Sequence, residues 1–149
     1  MNSLQNIEAF IAHQKFAVIG VSENKRKFGY TIFHELKKRG YEIEAVNRNL
    51  AQFGGQKCYN SVNELPEEIR AAILVTKQHE TLQLIEDCIQ KGIKNIWIQQ
   101  GGEPEKIETI CSKYDANIVY NRCILMFAKP TGFHKFHGNL NKLFGKWPK

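Results

Sequence analysis

Short, unbroken apolar runs alternate along this chain with longer segments whose apolar residues recur at helical spacing. Phe16-Ala17-Val18-Ile19-Gly20-Val21 is too short between its polar flanks to be a helix and reads as a buried strand. Tyr41 to Val46, Ala71 to Thr76, Asn95 to Gln99 and Asn117 to Tyr120 read the same way, and a short third strand is expected at Gln56 to Tyr59, after Gly54-Gly55. Ser3 can cap a first helix running to His13, with Leu4, Ile7, Phe10 and Ile11 on one face. A second is expected over Gly29 to Arg39, with Ile32, Phe33 and Leu36 inward and Lys37-Lys38-Arg39 where cations suit the helix dipole, ahead of Gly40. A third, from about Glu80 to Lys91, turns Leu82, Ile85, Cys88 and Ile89 inward and ends at Gly92; a fourth runs from Pro104 to Tyr114.

Strands separated by helices of this length pair in parallel through crossovers, with helices on both faces of the sheet. The expected fold is therefore α/β, a doubly wound Rossmann-like parallel sheet, and 149 residues suffice for a single domain with one core. We set that domain at residues 1–130, followed by a basic amphipathic extension at 131–149. No apolar run approaches the length needed to span a bilayer, and residues 1–13 lack the features of a secretory signal, so a cytoplasmic location is the default expectation, with no membrane partner. Cys58, Cys88, Cys111 and Cys123 form no C-x-x-C pair and read as free thiols.

Charge is segregated. Residues 1–115 carry 15 basic and 15 acidic side chains, whereas residues 116–149 carry six basic and none acidic, so the net charge of +6 arises wholly from the end of the chain. Attraction to phosphate or nucleic acid and a merely solvated tail account for this equally well. Phe133, Phe136, Leu140, Leu143 and Phe144 add an apolar stripe that would pack on its own domain or on a twin subunit, and His134 with His137 makes a poor metal site without a third ligand.

Ligands on doubly wound sheets bind beyond the carboxyl ends of the strands, where strand order reverses. The first such turn, Gly20 to Tyr30, is not G-x-G-x-x-G: Ser22 holds the second glycine position and Gly29 lies beyond the third. It nevertheless has the parts of a phosphate cradle, namely Gly20, the Ser22 hydroxyl, the cations Lys25, Arg26 and Lys27, and a following helix N-terminus. An ordinary strand-to-helix turn explains them equally well. After the second strand, Asn47 and Arg48 stand where NAD-binding domains place a carboxylate for the ribose; Arg48 either pairs with a ribose phosphate, as in NADP or coenzyme A, or is simply solvated. Thr76, Lys77, Gln99, Gln100, Gly101 and Gly102 follow later strands and can face the same crevice.

These residues resemble the small coenzyme A-binding proteins, whose fold is like the CoA-binding domain of the succinyl-CoA synthetase alpha subunit. The likeness covers about residues 14–126. It rests on Val18-Ile19-Gly20-Val21-Ser22, Gly40-Tyr41-Glu42-Ile43, Val46-Asn47, Gly55 through Cys58-Tyr59-Asn60-Ser61 to Leu65-Pro66, Ile96-Trp97-Ile98-Gln99, and Asn121-Arg122-Cys123. The resemblance implies that Gly20, Ser22, Lys25 and Arg26 meet phosphates, that Asn47 and Arg48 lie near the adenosine, and that Lys77 and Gln99 line the crevice. The chain departs from the family in carrying Arg48 where proline is common after the asparagine, and in running on past the cysteine segment.

Cys123, expected at the carboxyl edge of the sheet beside the cofactor, is either a thiol able to form a mixed disulfide with coenzyme A or a small buried hydrophobe. With no nucleophile elbow, Walker lysine or assignable carboxylate pair, the expected function is non-catalytic binding of coenzyme A or acyl-CoA, as carrier or sensor. The alternatives are an NADP-binding reductase-like protein, for which Tyr30 is the available proton donor, and a nucleic-acid-associated protein using the basic tail, the less favoured partner.

Overall fold

A computed structural model describes residues 3–129. The 131–149 extension, with its apolar stripe and histidine pair, lies outside the described residues. Seven strands form one sheet: β1 (Lys15–Ile19), β2 (Glu42–Val46), β3 (Gln52–Phe53), β4 (Gln56–Tyr59), β5 (Ala71–Leu74), β6 (Asn95–Ile98) and β7 (Asn117–Tyr120), in the order β3-β4-β2-β1-β5-β6-β7. Every neighbouring pair is parallel except β3 with β4. The sequence indicates the parallel strands but not β3. Two residues are too few to show a period; the strand exists because Gly54 and Gly55, at φ 57 and 77, form the two-residue turn that folds it back on β4.

Four helices cover the sheet: α1 (Leu4–Ile11), α2 (Phe28–Lys38), α3 (Gln78–Gln90) and α4 (Pro104–Tyr114). The two-residue period of the strands divides the core between the faces. Phe16, Val18, Ile73, Trp97 and Val119 point to the side holding Ile7 and Phe10 of α1 and Ile32, Phe33 and Leu36 of α2. Their neighbours Ala17, Ile19, Ala72, Leu74, Ile96, Ile98 and Ile118 point to Ile85 and Cys88 of α3 and Ile107 and Cys111 of α4. Trp97 is fully buried, stacks edge-on against Phe10 at 5.3 Å, and donates its indole N–H to the Arg122 carbonyl at 2.9 Å.

The helix ends follow their sequences. α2 stops where the Tyr41 amide bonds the Leu36 carbonyl (3.1 Å) and the Gly40 amide bonds that of Lys37 (3.0 Å), and α3 stops in the same way at Gly92 and Ile93. α1 is capped by Ser3, whose hydroxyl accepts from the Asn6 amide at 3.2 Å, and it is fixed to the far edge of the sheet by Asn6 and Asn117, which exchange hydrogen bonds of 2.9 and 3.0 Å. Arg39, its side chain almost fully buried, donates to the carbonyls of Leu125 (2.8 Å) and Ala128 (2.7 Å) and pins the segment after β7 against α2. No described helix is long and apolar enough to cross a membrane.

Candidate functional site

The chain runs from β1 outward to β2 on one side and returns to place β5 on the other, so strand order reverses between β1 and β5. A crevice of about 1090 Å³ opens there, walled by the residues that follow β1, β2, β4, β5 and β6. Pockets for whole cofactors run to about 1,000 Å³, so its size suits a nucleotide with an extended arm.

Backbone geometry shapes its floor. Gly20 has φ 101, and a Cβ there would lie 2.3 Å from the Val75 carbonyl oxygen; a Cβ on Gly29 would lie 2.1 Å from the carbonyl oxygen of Gly20. The first turn of α2 thus sits directly on the end of β1, closer than any side chain permits. The intervening loop is self-stapled: the Ser22 hydroxyl accepts from the Asn24 amide (3.1 Å) and the Asn24 side chain from the Arg26 amide (3.0 Å). Asn47 joins this loop to the next, donating its amide to the Val21 carbonyl (2.8 Å) while accepting from the Asn49 amide (2.8 Å). Asn60 in turn donates to the carbonyls of Asn47 (3.0 Å) and Leu50 (2.9 Å).

Two helices begin at the crevice, and neither has a side-chain cap. Lys27 occupies the N-cap of α2 and Lys77 that of α3, both extended and without a capping hydrogen bond, in contrast to α1 with its serine. Uncapped N-termini present amide N–H groups and a positive dipole end, to which Arg26, Lys27, Arg48 and Lys77 add full charges. The Thr76 hydroxyl, also in the lining, is buried with no hydrogen-bond partner, and an orphaned group of that kind calls for an acceptor or donor from elsewhere. Across the crevice Arg48 pairs with Glu80 in the first turn of α3.

Of the residues expected from sequence, Gly20, Ser22, Arg26, Asn47, Arg48 and Lys77 come together in this lining, while Lys25, Gln99 and Cys123 lie outside it. Lys25 is exposed on the same loop. Gln99 is buried because its carbonyl accepts from the Ile124 amide (3.1 Å), which holds the segment after β7 in place. Cys123 is half-buried against the α1 and α2 side of the core, two strands away from the reversal point. Tyr30 also lies elsewhere, its ring tilted against that of His34 at 4.3 Å between centroids, in a shallow depression beside Phe53. Sequence reasoning missed Glu80 as part of the site, because its partner Arg48 lies 32 residues away and no local pattern links the two. Among the described residues no cluster of His, Cys, Asp or Glu is arranged to hold a metal.

Residues 14–129 match the CoA binding domain family. The chain belongs to that family. As a CoA binding domain it is 30% identical, over 93% of its length, to the Acetate--CoA ligase [ADP-forming] II subunit alpha of Pyrococcus furiosus, and 30% identical, over 92%, to the Acetate--CoA ligase [ADP-forming] of Methanocaldococcus jannaschii. It spans only 31% and 20% of those two proteins. A conserved hypothetical protein from Pyrococcus furiosus superimposes with a TM-score of 0.70 at 34% identity, covering 74% of this chain and 96% of that one. A hypothetical protein from Pyrococcus horikoshii OT3 gives 0.73 at 28% identity, covering 81% and 86%.

The thiols of this CoA binding domain differ sharply. Burial pushes those of Cys58 and Cys111 up, and burial together with the adjacent Asp87 carboxylate pushes Cys88 up to about 12. All three are buried, whereas Cys123 is only half-buried. At pH 8 a thiol reagent should therefore label Cys123 about tenfold faster than the others, because burial denies Cys58, Cys88 and Cys111 both access and the thiolate form. Cys123→Ser should abolish the fast phase; a second thiol reacting at that rate would contradict the burial.

Proposed function

We propose that the chain binds coenzyme A or an acyl-CoA in the crevice between β1 and β5, and serves as a carrier or sensor rather than as a catalyst. The observation that carries this reading is the pair of uncapped helix N-termini, α2 and α3, opening into one cation-lined crevice. One suits the diphosphate and the other a further phosphate. Gly20 and Gly29 let the first turn of α2 seat directly on the end of β1, which brings that helix N-terminus to the crevice, and the Thr76 hydroxyl offers a hydrogen bond that the protein itself leaves unmade. Arg48 in place of a ribose-binding carboxylate favours a phosphorylated ribose over NAD. The reading includes a cytoplasmic protein whose binding unit ends near residue 130, with residues 131–149 as a basic extension.

A ligand present at about 100 times its Kd stabilises the native state by about 2.7 kcal/mol, which for a domain of this size is a rise of roughly 5–10 °C in Tm. Coenzyme A should produce that rise, and NAD or AMP at equal concentration a smaller one. Thr76→Val should leave the free protein at least as stable, since it removes a buried hydroxyl without a partner, and should weaken coenzyme A binding. Equal shifts with all three ligands would sink the assignment. Likeness to ligase subunits favours a second reading, in which the chain is the CoA-handling part of a larger ligase. Co-purification of this chain with a second subunit, and release of ADP from ATP by that complex in the presence of acetate and coenzyme A, would select it.

A further inference from the structure

Arg48 and Glu80 form the one described ion pair that joins the two walls of the crevice. The pair is asymmetric. The Arg48 side chain is 73% exposed, on a loop whose backbone is held by Asn47 and Asn60, so the guanidinium can swing while its base stays fixed. Glu80 is 28% exposed and sits in the first turn of α3, where the N-cap residue supplies no capping group. Its carboxylate therefore stands where an incoming anion would go, next to both the guanidinium and the positive end of the helix.

We propose that the Arg48–Glu80 pair is a latch that a phosphomonoester opens, and that Arg48, once released from Glu80, discriminates for a phosphorylated ribose. The proposal rests on the coenzyme A reading above. A phosphomonoester carries about −1.5 to −2 charge near pH 7 and three acceptor oxygens, more than one carboxylate, so it competes for Arg48 and the α3 terminus where Glu80 alone now holds them. Dephospho-coenzyme A has the same diphosphate and pantetheine arm but no monoester. It leaves the latch shut and gains nothing from Arg48.

Isothermal titration of coenzyme A and dephospho-coenzyme A into wild type, Glu80→Gln and Arg48→Gln tests this, with each free variant checked by thermal unfolding. Both substitutions break a solvent-exposed pair and should hardly change stability. Removing the competing carboxylate should raise the ratio of coenzyme A to dephospho-coenzyme A affinity about tenfold, and removing the guanidinium should bring that ratio down to about one. Ratios that match wild type in both variants overturn the latch and leave the crevice assignment standing. Equal wild-type affinity for the two ligands does the same. A wild-type protein that binds neither ligand overturns the crevice assignment and the latch together.

Discussion

Gly20→Ala is expected to lower stability by about 3 kcal/mol or more, and Tm by about 10 °C, and to abolish nucleotide binding. Two costs combine. The φ of 101 is one that residues with a Cβ rarely adopt, and the new methyl would meet the Val75 carbonyl oxygen at 2.3 Å and its carbon at 2.9 Å. Neither partner can retreat cheaply: the Val75 amide bonds the Ile19 carbonyl at 2.8 Å, and the Gly20 amide bonds that of Val46 at 3.0 Å, so relief means parting the sheet at its centre. Gly55→Ala is the control. It also has positive φ, 77, but nothing lies within 4 Å of the added carbon, so only the backbone strain of about 1 kcal/mol remains. Chemical denaturation compares the two; similar losses for both would show that contact at Gly20 is unimportant.

The second large effect is on affinity alone. Arg26 and Lys27 are exposed, border the crevice and flank the N-terminus of α2, so reversing both with Arg26→Glu and Lys27→Glu should cost about 100-fold in coenzyme A affinity, two charge-assisted contacts at about 1.5 kcal/mol each. Stability should scarcely move, since neither side chain is buried and a glutamate at the N-cap complements the helix dipole. Titration calorimetry at two salt concentrations reads this. Wild type should weaken with salt more steeply than the double variant. Wild-type affinity in the double variant would place the diphosphate away from α2.

The fold was legible because continuous apolar runs such as Phe16 to Val21 and Ala71 to Thr76 have only one economical home, inside a sheet covered on both faces. The site was legible in part, for a different reason. Topology alone places Gly20, Ser22, Asn47, Arg48 and Lys77 at the strand ends around the reversal point, whatever their side chains do. What a single side chain does there is not encoded locally. Gln99 follows β6 as Lys77 follows β5, yet its amide is taken up by the Ile124 backbone, a contact 25 residues away. Cys123 follows β7, but β7 is the outermost strand on that side, and strand order across a sheet does not follow chain order. The partnership of Arg48 with Glu80 spans 32 residues, from the loop after β2 to the first turn of α3.

The mutual hydrogen bonds of Asn6 and Asn117 also bear on how the protein is made. Synthesis runs from the N-terminus at about 5–20 residues per second, so α1 leaves the ribosome on the order of 5–20 s before the strand to which those bonds attach it. β1 pairs with β2 on one side and β5 on the other, and synthesis supplies those two partners before the outer strands β6 and β7. α1 has its seat, against Trp97 and Asn117, only once β6 and β7 have been added. A nascent chain halted before Asn117 would hold Ile7 and Phe10 without their final cover, a natural handle for chaperones that recognise exposed apolar segments.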